Sequence, residues 1–283
     1  MKKILRVGAA VAGIAIIGVL LLFADGFLGN PISKFRAQNT AKKYISENYN
    51  GMNYKVEKAQ YDFKSGGYYV KITSQESADL NFYLSLSRSG KLNYDSYESD
   101  VQNGFNTWIR LDLELREMGR GILENELPFE IIHGSFSFEK DAFEPGLLTH
   151  GMVLDIMNPP LPISVNVDIM DKDVSYEKAA EVLTSVGDVV LQKGYPVSFY
   201  NLKIEYKSED QNSKGSYKSL FIYNIPSDLL LVDDLAGALE EFNLSQYTFT
   251  PPRRFTSLRI SSKQAPSTVP ASRNVATACA ITV

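Results

Sequence analysis

Between residues 7 and 24 the chain reads VGAAVAGIAIIGVLLLFA, 18 consecutive apolar or glycine positions without a charge. As a helix this run spans about 27 Å, close to the roughly 30 Å hydrocarbon core of a bilayer. Phe27 and Leu28 extend the apolar length past Asp25, and Ile4 and Leu5 extend it on the other side, with Arg6 reaching back to the headgroups. Lys2, Lys3 and Arg6 precede the run and Asp25 follows it, so the positive-inside rule keeps the N-terminus in the cytoplasm and exports the rest. A cleaved signal peptide is the competing reading. Leu22-Phe23-Ala24 places a bulky residue where cleavage wants a small one, and Ala24-Asp25-Gly26 is also a poor site, so an uncleaved single-pass anchor over 1–29 is expected. Ala9 and Gly13 form a small-xxx-small pair, but a segment this rich in Gly and Ala produces such pairs by chance.

The net charge of −4 hides an uneven distribution. Residues 253–283 hold five basic residues and no acidic one, and the first thirty sum to +2, which leaves −11 on 31–252. A body so negative repels polyanions, which excludes nucleic acid as its main partner and argues against peripheral binding to anionic lipid. Cys279 is the single cysteine, so no intrachain disulfide and no multi-cysteine metal or redox site is possible.

Asn30-Pro31 signals a helix start, and Ile32, Phe35, Ala41, Tyr44, Ile45 and Tyr49 then recur at helical spacing until Asn50-Gly51. Strand-like segments follow at 53–63, with a bulge near Glu57, at 68–74, at 80–88 and near Lys91–Tyr94. A helix is expected over 98–119. A helix across one face of such a meander is an α+β roll of the cystatin type. This gives a first α+β domain over 30–123.

A second, mixed α/β domain is expected over 124–250. Its strands are placed at 129–138, 147–157, 161–170, 196–206 and 217–224, with the polar loop Lys207–Ser216 between the last two. Asp173 and Ser175 can cap a helix over 175–193, which Lys193-Gly194 ends, and a last helix is placed at 227–242. The stretch 251–283 is rich in Ser, Thr, Ala and Pro without periodicity and reads as a disordered basic tail.

Candidate chemistry is sparse. Ser175-Tyr176-Glu177-Lys178 fits S-x-x-K, but the later partner motifs are missing, and a helix-capping serine explains it. Asp168, Asp171, Asp173, Ser175 and Glu177 invite a calcium reading; an EF-hand loop from Asp171 needs glycine at 176 and an acid at 182, where the chain has Tyr176 and Val182. His133 and His150 are the only histidines, and no local spacing ties them to a carboxylate such as Asp155. No glycine-rich phosphate loop or other cofactor motif occurs, so no catalytic, metal or cofactor residue is assigned. Tyr68, Tyr69, Tyr83, Tyr94 and Tyr97 exceed what one sheet face can bury. The leading expectation is two packed faces; a tyrosine-bearing surface for peptide or glycan is the other.

Several local strings belong together. Gly29-Asn30-Pro31-Ile32, Tyr61-Asp62-Phe63-Lys64, Asp95-Ser96-Tyr97, Asn106-Thr107 with Arg110, Phe143-Glu144-Pro145-Gly146 and Val174-Ser175-Tyr176-Glu177-Lys178 give 28–245 a resemblance to the YfjL-like family of membrane-anchored proteins from Gram-positive bacteria. The resemblance implies an N-terminal and a C-terminal part, in keeping with the division near 124, and brings no activity or residue role with it. The basic tail departs from the pattern. Two functions are therefore expected to compete. The first is a membrane-tethered module that binds or regulates a protein, peptide or glycan at the cell envelope. The second is an envelope hydrolase or transferase using a carboxylate pair that folding brings together.

Overall fold

The computed structural model describes residues 2–207 and 217–248. The tail and most of the loop after Lys207 lie outside the described residues.

Helix α1 (Lys2–Leu28) carries the apolar run, with Val7 64%, Ile14 71%, Leu21 65% and Phe23 62% exposed. It is long and apolar enough to cross a membrane. Gly29, at φ +68°, turns the chain; a Cβ there would meet Tyr68 Oη at 2.6 Å and the Tyr61 ring at 2.7 Å. Asn30 then caps helix α2 (Pro31–Asn48), its side chain accepting the Ser33 N–H at 2.8 Å, with Pro31 in the first turn as expected.

The first sheet is antiparallel. Strands β1 (Tyr54–Val56) and β2 (Gln60–Asp62) both pair with β3 (Gly67–Ser74), which pairs with β4 (Phe82–Leu86) and then β5 (Leu92–Asp95). Val56 faces Ile72 and Gln60 faces Tyr69, so four steps on one side oppose three on the other. That is the bulge expected near Glu57. The strand expected at 80–88 is shorter, because Ser77 caps a 3₁₀ turn at Ala78–Leu80. Buried Tyr68, Val70, Ile72, Phe82, Leu84 and Leu86 point to α2, whose Ala37 and Ala41 allow close approach. The opposite face stays open: Tyr69, Tyr83 and Tyr94 are 37%, 51% and 55% exposed. This overturns the expectation of two packed faces.

The helix expected over 98–119 is divided. Glu98–Gln102 is one π-helical turn, and Gly104 at φ +79° breaks the chain before α3 (Phe105–Glu126). A Cβ at Gly104 would lie 2.1 Å from the Leu148 carbonyl oxygen, so the break admits a neighbouring backbone. Helix α3 lies against β6 (His133–Phe138), with Gly119 so close that a Cβ would meet the Phe136 nitrogen at 2.4 Å. Asp112 of α3 accepts the Phe138 N–H at 2.9 Å.

The second sheet runs β6, β7 (Ile163–Met170), β8 (Val197–Lys207), β9 (Tyr217–Pro226). Only β7 and β8 are parallel; between them the chain passes through α4 (Tyr176–Lys193), as a parallel connection requires. Ser175 caps α4 by accepting the Lys178 N–H at 3.2 Å, and Gly194 at φ +71° ends it. Ala179, Val182, Leu183, Val186 and Val190 form its buried stripe.

Two expectations fail here. The segment 147–157 is not a strand: Asp155 accepts the N–H groups of Met157 and Asn158, and Gly151 at φ +80° turns the chain. Its apolar alternation is real, because Leu148 is buried and Met152, Leu154 and Ile156 pack on the core, but it lies on that core as a loop. The last helix starts later than 227. Ser227–Leu231 is a 3₁₀ turn, and Asp234 caps α5 (Leu235–Thr248) by accepting the Gly237 N–H at 3.1 Å.

Candidate functional site

The first sheet has two chemically different ends. Strand β3 runs from the α1 end at Gly67 to a far end at Ser74, seven steps or about 24 Å. Helix α2 covers a similar length, about 27 Å.

At the far end, the last turn of α2 delivers Tyr44 and Tyr49. Their hydroxyls donate to Asp95 Oδ2 at 2.9 and 2.6 Å, while Asp95 Oδ1 accepts the Tyr97 N–H at 2.9 Å. The rings of Tyr49, Tyr54, Phe82 and Tyr97 pack edge-on or tilted, with centroids 4.9–6.0 Å apart. Burial first, and Asp95 second, push the Tyr49 hydroxyl well above the usual phenol range. Burial, then Tyr97, push Tyr54 up to about 12. Both phenols thus stay protonated donors at any physiological pH.

Beside this aromatic wall opens a cleft of about 390 Å³. Its lining includes Met52, Tyr54, Glu76 and Tyr97 from around the first sheet, Gln102 from the π turn, and Thr149 and His150 from the loop that packs on the second sheet. A shallower hollow on the other side of Met52 and Tyr97 reaches Tyr44, Asp95 and Glu98. The volume falls in the range of small-ligand sites, and the lining mixes aromatic edges with a few polar groups.

A buried ion pair fixes the two sides of the cleft. Asp79, its side chain 1% exposed, receives Arg110 Nε and Nη2 at 2.8 Å each, Thr107 Oγ1 at 3.2 Å and the Gly151 N–H at 3.2 Å. Arg110 also donates to the Met152 carbonyl at 2.7 Å, and Asn106 donates to the Asp79 and Asn81 carbonyls. The Arg110 guanidinium is the main cause holding the Asp79 carboxyl below the usual range, against the opposing effect of burial. One carboxylate thereby ties the first sheet, α3 and the 149–152 loop to one another.

The residues weighed from the sequence disperse. Ser175 spends its oxygen on the helix cap, and the Lys178 ammonium sits between Glu181 at 3.0 Å and Asp171 at 3.5 Å. Asp171 accepts the Asp173 N–H, and Asp155 closes its own turn. His133 opens β6 opposite Asp168, while His150 lines the cleft. Among the described residues no group of three His, Cys, Asp or Glu is placed to hold a metal. Of the five tyrosines, Tyr97 belongs to the cleft and Tyr68 is buried; Tyr69, Tyr83 and Tyr94 remain on the open face. The pairing of Asp79 with Arg110 and the joining of Tyr54 with His150 escape sequence reading, since the partners lie far apart in the chain.

The model of the YfjL-like N-terminal domain matches residues 1–96, and that of the YfjL-like C-terminal domain matches residues 114–240. Comparison with curated proteins and with solved structures finds no match. The first match covers α1, α2 and the first sheet, the second covers most of α3 and the second sheet, and they follow one another in order. The chain belongs to the YfjL-like family.

Proposed function

We propose that this is a single-pass membrane protein whose two sheets lie outside the cytoplasm, and that it binds an extended peptide or glycan of the cell envelope in the Tyr54–Tyr97 cleft. The observation that carries the reading is the position of the cleft. It is built at the end of the first sheet opposite α1, with walls from both parts of the chain. The basic flank of α1 supports the orientation. The first helix and sheet read as a roll of the cystatin type whose purpose is to hold the cleft away from the bilayer. Glu76 on the cleft lining and the negative body favour a ligand that is not a polyanion. Asp95 is engaged by two phenols and a peptide N–H, so it supports the aromatic wall.

A photo-crosslinking residue at Gln102, compared with one at Leu191 on the exposed side of α4, tests this in intact cells. The expected result is a discrete adduct from position 102 that position 191 does not give. The same mixture of neighbours from both positions would remove the cleft's claim.

A further inference from the structure

Three segments distant in sequence meet around the last turn of α1. Arg88 donates to Asp25 Oδ2 at 2.7 Å, to the Asp25 carbonyl at 3.1 Å and to the Gly66 carbonyl at 3.1 Å. Its guanidinium carbon stands 5.4 Å from the centre of the Tyr61 ring, and Tyr61 Oη donates to the Gly26 carbonyl at 2.8 Å. Asn30 Nδ2 donates to Asp25 Oδ1 at 2.9 Å, and Tyr68 Oη both accepts from the Asn30 N–H and donates to its carbonyl. The turn at Gly90 lies against Arg36. The end of α1, the start of α2 and the turns at 63–66 and 87–90 therefore form one hydrogen-bonded junction.

Outside this junction, large apolar side chains stay uncovered: Phe27 64%, Leu28 77%, Ile32 66%, Phe35 66% and Phe63 60%. Ser33, Ala37 and Ala41 take the buried face of α2, so Ile32 and Phe35 point away from the sheet. Lys34, Arg36, Lys64 and Lys91 are exposed among them.

We propose that this collar is a lipid-docking foot: Ile32, Phe35 and Phe63 enter the interface of the leaflet that α1 leaves, and the Asp25–Arg88 pair locks the first sheet at that height. The inference rests on α1 being a membrane anchor. Continuity commits the occupant to lipid. Ile32 and Phe35 lie four and seven residues beyond Leu28, across the turn at Gly29, so an apolar surface that begins inside the bilayer runs on into its headgroup layer. Phenylalanine and long basic side chains are stable at that depth. Asp25, the carboxylate in the path, is neutralised by Arg88. The charge of −11 on the body does not oppose this, because the foot itself is bordered by basic residues.

The test uses the full chain with Cys279→Ser, placed in nanodiscs of phosphatidylglycerol and phosphatidylethanolamine. An environment-sensitive fluorophore is attached after Phe35→Cys, Phe63→Cys, Ile14→Cys or Tyr83→Cys, and lipid-borne spin labels quench it. The foot predicts quenching at 35 and 63 about threefold stronger than at 83, with Ile14 quenched by deep labels. Adding Arg88→Ala should reduce quenching at 35 and 63 and leave position 14 unchanged. Quenching at 14 with none at 35 and 63 overturns the foot and spares the anchor. No quenching at 14 overturns both.

Discussion

Among the described residues, 11 buried apolar side chains form the core around the first sheet, two of them alanines that bring α2 close; around the second, 26 do, most of them valine, leucine or isoleucine. Both cores seat helices on a sheet, yet they hold by different means. The second gains its stability from aliphatic burial, at about 1.5–3 kcal/mol for each large side chain. The first has one open face and a small core, and is fastened at both ends by charge. Asp25 and Arg88 fasten the α1 end, and Asp79 and Arg110 fasten the cleft end. The contrast places the aromatic wall of the candidate cleft on the part of the molecule with the smaller core.

This difference can be broken by mutation, read by hydrogen exchange resolved along the chain. Phe136→Ala, which empties a fully buried site in the larger core, should cost about 4 kcal/mol and expose β6, β7 and β8 together. Protection in β3 and β4 should survive it. Asp79→Ala should cost about 2 kcal/mol, because Arg110, Thr107 and the Gly151 N–H lose their shared acceptor while Arg110 keeps Glu114 and the Met152 carbonyl, and should loosen the cleft walls and the far ends of β3 and β4. Equal loss in β7 and β8 would show that the two cores are one. A pH series sharpens the same point. Asp79 has a depressed folded pKa, so its contribution is complete above its unfolded value of about 4 and is lost as pH falls through the lower folded value. Acid should therefore release the seam between the sheets, and Asp79→Ala should abolish that part of the acid response. Arg88→Ala should raise exchange only near residues 61–68 and 86–90. Tyr83→Ser, on the open face, should change stability by less than about 0.5 kcal/mol.

Local physics was legible in the sequence. Asn30-Pro31, Ser175 and Lys193-Gly194 mark helix ends because each cap satisfies backbone groups within four residues. The bulge near Glu57 followed from a change of face within one strand. Segment 147–157 misled because a loop laid along a core alternates as a strand does, and alternation does not reveal whether a ladder partner exists. The cleft and its ion pair were invisible for another reason. Asp79 finds Arg110 31 positions away and Gly151 72 positions away, distances at which no spacing rule operates. Asn30, Tyr61, Asp95, Tyr97, Thr107 and Arg110, which belong to the strings that carry the family resemblance, sit at the junctions of the folded chain.

The parallel lengths of α2 and β3 set a stand-off. With the foot seated in lipid as proposed, α2 and β3 would hold the cleft about 25 Å from it. On that proposal the cleft keeps to a thin shell above the lipid plane, where a polymer crossing the shell would meet it at a raised effective concentration. Lengthening α2 alone by two turns would carry Tyr44 and Tyr49 about 11 Å along the helix axis away from Asp95, so the stand-off cannot be changed without taking the aromatic wall apart.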